Sequence, residues 1–372
     1  MARAYHSRRK TDTQKTAVAS IDTSTSISAH KPADRLRPVR IWLYVIAVLV
    51  LIMVAVGGIT RLTGSGLSIT TWKPISGIIP PITDADWQAE YEGYRQIPQF
   101  QVNNHWMSVE DFKSIFWWEW IHRFLGRMIG FAFAIPFVVF LVQRRFSWNL
   151  AAPLGILFVL GGLQGALGWW MVSSGLSELT SVSQYRLAAH LSAAALLLMA
   201  LVGVARSLEP DVPATKVTPA EWWGAIALLV LIFIQLIAGA FVAGLDAGFA
   251  YNTWPLMGDS FVPPGMATLD PFWKNIFENT TTVQFIHRCI AYVIVAYVAF
   301  RLWQQSTTGG FGGVHKWLPR LSALILFQVA LGITTLLLVI PVELGVAHQV
   351  VAFLLLAATI SYLVDMRRAS KA

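Results

Sequence analysis

Eight apolar runs, each close to the length of about 20 residues that a helix needs to cross a bilayer, constrain the fold of this chain more than any other feature. They fall at 41–59, 116–141, 149–172, 185–205, 222–244, 282–303, 321–340 and 345–364. Of the 372 residues, 55% are hydrophobic and 13% are charged, which leaves too little polar surface for an ordinary soluble domain. The sequence therefore predicts an all-α integral membrane protein with eight transmembrane helices.

The basic residues predict how these helices are oriented. Nineteen of the 28 Lys and Arg residues lie in segments on the side of the two termini, and five lie in segments on the opposite side. Because basic residues accumulate on the cytoplasmic side, both termini are expected there. The net charge of +8 follows largely from this topology and is no argument for nucleic acid as a partner.

An internal repeat divides the chain into two halves. Ile121–Arg123 recurs 165 residues later as Ile286–Arg288, each time at the start of a helix that enters from the outside. Gln164–Gly168 recurs 164 residues later as Gln328–Gly332, in the next helix of each half. The fold predicted from this repeat is a pair of pseudo-repeated four-helix bundles.

The composition and the repeat together predict five segments. These are a disordered cytoplasmic tail, an N-terminal four-helix half, a cytoplasmic linker, a C-terminal four-helix half and a basic tail, at 1–40, 41–206, 207–220, 221–365 and 366–372. In the first large outer loop, residues 57–81 are rich in turn formers and hydroxyl groups. Such a composition outside a membrane indicates an ordered loop packed over the helix ends.

Each half carries two histidines near the outer ends of its second and fourth helices: His122, His190, His287 and His348. A small residue follows each histidine four positions later. A lone histidine on an apolar helix is usually hydrogen-bonded in the core, but four at repeated positions favour ligation of iron. Two facing imidazoles across a four-helix bundle match six-coordinate heme, whereas a structural zinc site usually needs four convergent ligands and often thiolates, and the chain has one cysteine.

The two halves differ next to the first histidine of each. Glu119 precedes His122 by three residues, and the neutral amide of Gln284 occupies the same position before His287. The difference indicates proton chemistry in the first half and an electron-relaying cofactor in the second. Alternatively, Glu119 simply pairs with Arg123 or Arg186. Four arginines near the proposed iron sites are either partners of heme propionates or anchors in the headgroup layer: Arg123, Arg127, Arg186 and Arg288.

The chain resembles the heme A synthase family from about residue 40 to residue 365. The resemblance rests on Gly57–Ser68 (GGITRLTGSGLS), on Glu119-x-x-His122-Arg123, on the second Ile-His-Arg, on the histidines of the fourth and eighth helices and on Thr253-Trp254-Pro255. It implies oxidation of the C8 methyl group of heme O to a formyl group, which produces heme A for cytochrome oxidase. Some members carry a cysteine pair in an outer loop, which this chain lacks.

The resemblance also implies roles for the site residues. His287 and His348 would hold a resident heme b, His122 and His190 would flank the substrate heme O, and Glu119 would serve catalysis. The implied surroundings are the lipid bilayer of a bacterial inner membrane, or alternatively the mitochondrial inner membrane. Heme O synthase and cytochrome oxidase assembly factors are implied partners, and a homo-oligomer remains open. From a different functional class, the alternative is a non-catalytic diheme cytochrome b that passes electrons from quinol to a partner.

Overall fold

The computed structural model describes residues 34–210, 214–308 and 310–371. Residues 1–33 of the predicted tail and 211–213 of the predicted linker lie outside the described residues. The part of the chain from Arg35 onward forms one compact unit. Its α-helices are α1 (Arg37–Leu62), α2 (Asp84–Arg95), α3 (Val109–Val142), α4 (Trp148–Ser173), α5 (Gln184–Ser207), α6 (Pro219–Gly244), α7 (Asn275–Glu278), α8 (Thr280–Thr308), α9 (Trp317–Leu337) and α10 (Val342–Ala369).

Eight of these helices are long and apolar enough to cross a membrane, which confirms the predicted fold class. They are α1, α3, α4, α5, α6, α8, α9 and α10, and they extend beyond the apolar runs at most of their ends. The reason is that polar caps, rather than the limits of the apolar run, determine where a helix starts. Ser108 with Asp111 forms a capping box that starts α3, and Thr218 with Glu221 forms another that starts α6.

The helices of the two halves pack with the same pattern. In the first half α1 packs on α3, α3 on α4 and α4 on α5, and in the second half α6, α8, α9 and α10 repeat this order. The first and fourth helices of both halves, α1, α5, α6 and α10, form the centre of the molecule, where they bury residues such as Leu198, Leu228 and Phe353. The histidine helices α5 and α10 are therefore central, whereas α3 and α8 lie outside them.

Polar contacts join the helix ends on the side predicted to be cytoplasmic. The guanidinium of Arg206 in α5 donates two hydrogen bonds of 2.8 Å to the carboxylate of Asp365 in α10. Trp317 at the start of α9 donates to the same carboxylate at 2.8 Å. The start of α1 joins this end too, since Arg40 lies 3.3 Å from Glu209. The start of α1 and the end of α10 therefore lie on the same side of the membrane, as an even number of crossings requires.

The first outer loop packs closely over the helix ends, as predicted. Ser65 and Ser68 are fully buried, and Leu67 is nearly so. Helix α2, which was not anticipated from the apolar pattern, begins at a capping box of Thr83 and Asp86 and covers this loop through buried aromatic residues. The buried part of the outer loop therefore packs above the ends of α3 and α4.

Candidate functional site

The four predicted histidines lie in two pairs, one in each half. The imidazole rings of His287 on α8 and His348 on α10 have centroids 6.5 Å apart and are inclined by 73°. In the first half, His122 on α3 and His190 on α5 occupy the matching positions of the repeat. All four side chains are half-buried. Each bundle therefore offers two imidazoles near its outer end, as the repeat predicted.

A glycine on the preceding spanning helix contacts each histidine ring. A Cβ atom added to Gly57, Gly168, Gly239 or Gly332 would lie 3.0, 3.1, 3.1 or 2.7 Å from Cε1 of His122, His190, His287 or His348, respectively. These separations are shorter than nearly all real Cβ contacts, so a side chain at any of these glycines would push against the imidazole. The glycines therefore fix how closely the preceding helix approaches each ring.

Three of the four histidines also have a glutamine partner, which lies one turn before the glycine. Nε2 of Gln164 donates to the carbonyl oxygen of His190 at 2.7 Å and lies 3.1 Å from Nδ1 of its ring. Gln235 and Gln328 donate in the same way to the carbonyl oxygens of their histidines, His287 and His348, at 3.0 and 2.9 Å. Their longer contacts of 3.3 and 3.5 Å reach Nε2 of the ring. Each amide thus links two neighbouring helices at the level of a histidine.

Sequence reasoning identified the repeat of Gln164–Gly168 and Gln328–Gly332 but assigned no role to it. The same spacing, Gln-x-x-x-Gly, also occurs at Gln235–Gly239, where it was missed. In α1 the corresponding pair is Met53 and Gly57. A search for a fixed Gln-to-Gly spacing on the helix before each histidine would have found three of the four sites.

The small residues four positions after the histidines have a local role that the sequence did not indicate. Because the carbonyl of residue i points toward residue i+4 in a helix, a small side chain there leaves room for a second donor to approach that carbonyl.

At Gly126 the neighbour is Met53, whose Cε lies 3.3 Å from the position of an added Cβ. A Cβ added to Gly130, one turn further on, meets no atom within 4 Å. Met53 therefore lies against the glycine at Gly126, whereas the surface at Gly130 is open.

The histidine pairs fit an iron porphyrin on two grounds. In the second half, two metal–imidazole bonds of about 2 Å, together with the radii of the two rings, would account for the centroid separation of 6.5 Å. In addition, Nδ1 of His122, His287 and His348 is buried without a hydrogen-bond partner among the described residues. Buried polar atoms are normally satisfied, so these orphaned nitrogens indicate partners other than protein. Within the described ranges, no three His, Cys, Asp or Glu side chains cluster as a metal site.

Glu119 lies one turn outside His122 and is almost fully buried, with 2% of its surface exposed. Its Oε1 accepts from Nε and Nη2 of Arg123 at 3.1 and 2.6 Å. Its Oε2 accepts from the Ser68 hydroxyl and from the Ile69 backbone N–H, both at 2.8 Å. All four acceptor positions of the carboxylate are therefore filled. The pairing with Arg123 that the sequence left as an alternative is present. The bonds from Ser68 and Ile69 tie the outer loop to α3.

The second half holds its outer loop with a neutral version of the same arrangement. Nε2 of the buried Gln284 donates to the carbonyl of Tyr251 at 3.0 Å, and Arg288 donates to the same carbonyl at 3.0 Å. Arg123 binds the carbonyl oxygens of Ile69 and Thr71 in the first loop in a comparable way, at 2.8 and 3.0 Å. The repeated arginines therefore fasten both outer loops, and the difference between the halves is the carboxylate itself.

The four arginines proposed as propionate partners all donate to backbone carbonyls near the outer helix ends. Spare donors remain, since Nη1 of Arg127 and Nε of Arg288 are buried without partners in the described part of the chain. Beside Arg127, a cavity of about 330 Å³ lies between α3 and the outer loop and is lined by Lys73, Phe116, Trp120 and Arg123. The lining also includes Asp86 and Glu90, and Glu90 pairs with Lys73 at 2.8 Å, so Arg123 and Arg127 are the cations of this cavity that could receive an anionic group.

Comparison with known proteins identifies the family of this chain. Residues 40–360 match the profile of the cytochrome oxidase assembly protein family. A heme A synthase of Azorhizobium caulinodans is 50% identical over 345 residues, covering 92% of this chain and 97% of that protein. Heme A synthases of Parvibaculum lavamentivorans and Brucella anthropi are 51% and 46% identical, covering 83% and 91% of this chain and 88% and 94% of those proteins. The chain therefore belongs to the heme A synthase family, as its sequence resemblance predicted.

Proposed function

We propose that this protein is a heme A synthase, a membrane oxidoreductase that converts heme O into heme A for cytochrome oxidase. The observation that carries the proposal is the repeat of two histidines in each half, each packed on a glycine of the preceding helix, with the rings of the second half 6.5 Å apart. Family membership over residues 40–360 supplies the reaction. The eight apolar helices and the bacterial relatives identify a multi-pass protein of the bacterial inner membrane.

We assign the resident cofactor, heme b, to His287 and His348 in the second half. This assignment is supported by the 6.5 Å separation of their rings and by two glutamines that restrain both histidines. When bound, the heme would supply one-electron chemistry. The residues of this chain would contribute the imidazole ligands and an apolar helical surrounding, and Arg288 holds the outer loop through the carbonyl of Tyr251.

We assign substrate heme O to His122 and His190 in the first half. The cavity beside Arg123 and Arg127 supports this assignment, because a heme carries two propionates and cationic side chains are their natural partners. Heme O synthase and cytochrome oxidase assembly factors would then be neighbours in the membrane, since a lipophilic heme has to be delivered and removed. The chain could further act as a homo-oligomer.

Glu119 is the group we propose for proton transfer in the first half. Oxidation of a methyl group to a formyl group removes protons as well as electrons from carbon, and a carboxylate near the substrate can accept a proton. The support is its place one turn from His122 and the neutral Gln284 at the matching position. Because its four acceptor positions are filled, a partner such as Ser68 must release it before it takes up a proton.

The variant Glu119→Gln removes the charge, keeps the size of the side chain and makes the first half resemble the second, although the new amide Nε2 cannot accept from the donors that now bind one of the carboxylate oxygens. We expect normal insertion and retention of the resident heme, with heme O or a hydroxylated intermediate accumulating in place of heme A. Ser68→Ala is the matched control, since it removes one hydrogen bond to the same carboxylate but leaves its charge. If both variants lose heme A formation to the same extent, Glu119 anchors the outer loop and does not transfer a proton.

The function as a whole is tested by the pigments of the membrane. Membranes that contain heme O synthase are compared with and without this protein, and their extracted hemes are separated and identified by pyridine hemochrome spectra. Heme A should form only when this protein is present. If the purified protein binds two hemes but no heme A forms in the membranes, the non-catalytic diheme cytochrome b describes it better.

A further inference from the structure

We propose that Met53 leaves His122 free to move, so that the first half can take up and release its heme, whereas glutamines hold the other three histidines in place. The inference rests on the proposed function for the assignment of substrate to the first half. Met53 acts as a positioning residue. Because it cannot donate a hydrogen bond to His122, substrate can be exchanged at this site.

Three glutamines contact both the backbone and the ring of their histidines. In all three cases the amide reaches across from the preceding helix and donates to the carbonyl oxygen of the histidine, at 2.7, 3.0 and 2.9 Å. In each case the same amide also contacts the imidazole ring. One side chain therefore restrains both the backbone and the ring of its histidine.

Met53 occupies the matching position in the first half. Gly57 contacts Cε1 of His122 in the same way that Gly239 contacts Cε1 of His287, and Met53 and Gln235 each lie four residues before these glycines. The methyl group of Met53 lies against Gly126, which is one turn beyond His122. Met53 thus lies next to His122 on α3 but presents a thioether where Gln235 presents an amide.

The chemical difference has a direct consequence. A thioether has no hydrogen to donate, so Met53 cannot bond to the carbonyl of His122. Nδ1 of His122 is buried without a partner in the described part of the chain. Methionine is also flexible and adapts to changes in its surroundings. Among the described residues, the ring of His122 therefore packs on Gly57 without the amide contact that the other three rings have, and Met53 packs one turn further along α3 at Gly126.

Glutamine and methionine are distributed according to the proposed roles of the two halves, which are to exchange substrate in the first and to retain a cofactor in the second. The second half, which keeps its cofactor, has a glutamine at both histidines, Gln235 and Gln328. The first half, which must exchange substrate for product in every turnover, has a glutamine only at His190. His190 can then stay in place as a fixed ligand while His122 moves aside.

The test introduces the missing amide. Purified Met53→Gln protein is loaded with iron protoporphyrin IX in detergent, and the transfer of heme to excess apomyoglobin is followed by absorbance. We expect the heme of the first half to leave about threefold more slowly than from the unsubstituted protein, which is the size of effect expected for one interhelical hydrogen bond in a membrane protein. Met53→Leu, which also lacks a donor, should release heme at the unsubstituted rate.

The reciprocal variant Gln235→Met removes an existing tether. We expect the heme of the second half to leave about threefold faster, with a larger high-spin fraction in the absorbance spectrum because His287 is less firmly held. Equal release rates for Met53→Gln and Met53→Leu, or an unchanged release rate and spectrum in Gln235→Met, would overturn the proposal. If Met53→Gln does not insert, Gln235→Met alone decides the outcome.

These measurements are independent of heme A formation, because they use added iron protoporphyrin IX and record only its release. A protein that forms no heme A but shows the expected release rates would refute the proposed function and leave the role of Met53 standing. A protein that forms heme A but shows equal release rates in the Met53 variants would refute this inference and leave the proposed function standing.

Discussion

Nε2 of Gln349 donates to the carbonyl oxygen of Val54 at 3.0 Å, and this hydrogen bond joins the two halves of the molecule next to both histidine pairs. Gln349 follows the heme-ligand candidate His348 on α10, and Val54 lies one turn before Gly57 on α1, which contacts His122. The same amide also packs on Gly58, where an added Cβ would lie 3.3 Å from its oxygen. Helices of different halves are therefore held in register close to both sites.

Loss of this bond should weaken the contact between the halves without removing a cofactor. For Gln349→Leu we expect a decrease of about 0.6 kcal/mol in the free energy of unfolding in a dodecyl sulfate titration, which is typical of an interhelical hydrogen bond in a membrane protein. Retention of heme should be unchanged, because His348 and Gln328 are intact. Gln304→Leu, at an exposed position on α8, is the control. Equal decreases in both variants would mean that the bond contributes nothing specific.

Removal of either histidine of the second half should remove its low-spin heme. His287→Ala or His348→Ala deletes one of the two imidazoles that would hold the heme, which would then lose a main directional bond. The purified variants should be bleached or high-spin by optical spectroscopy. His105→Ala, at an exposed position in the outer loop, should retain the spectrum of the unsubstituted protein. A b-type spectrum that persists in both variants of the pair would contradict the assignment of heme b to the second half.

A side chain at Gly332 should displace His348. The Cβ of Gly332→Ala would lie 2.7 Å from Cε1 and 3.2 Å from Nδ1 of the imidazole, so the ring or the helix has to move. Overpacking of this kind costs about 1–3 kcal/mol. We expect less bound heme and a high-spin fraction by absorbance. Gly161→Ala on α4 is the matched control, since an added Cβ there meets no atom within 4 Å. A normal heme content in Gly332→Ala would show that the ring adapts without loss of its ligand.

The orientation in the membrane stays a prediction, which cysteine labelling can test. On a background with Cys289 replaced, cysteines at Arg144 and Lys316 should react with an impermeant maleimide from the cytoplasmic side, and cysteines at Asp86 and Trp254 from the opposite side. The reason is the excess of basic residues at the inner helix ends. Labelling of position 86 from the cytoplasmic side alone would reverse the topology.

Part of the site was predictable because it is encoded locally. The histidines occur on the second and fourth spanning helices of each half. Glu119 and Gln284 each lie three residues before a histidine, so the repeat aligns them. Other features needed contacts between distant segments. The four hydrogen bonds of Glu119 come from its own helix and from Ser68 and Ile69, 50 or more residues away, and only the loop conformation brings them together. Helix α2 was missed because it is polar and short, and because its start is set by the capping box at Thr83.

By itself, the sequence determined the number of spanning helices, the repeat of the two halves, the candidate histidines and the family. Hydrophobic length, repeat spacing and residue identity are properties of the chain that need no partner helix. Only the tertiary structure decided that Gly57, Gly168, Gly239 and Gly332 contact the four rings, that three glutamines reach the histidine carbonyls, and that Met53 stands at the fourth position. The physical reason is that both the lipid-facing and the helix-facing sides of a membrane helix are apolar, so the apolar pattern does not identify which face meets which neighbour.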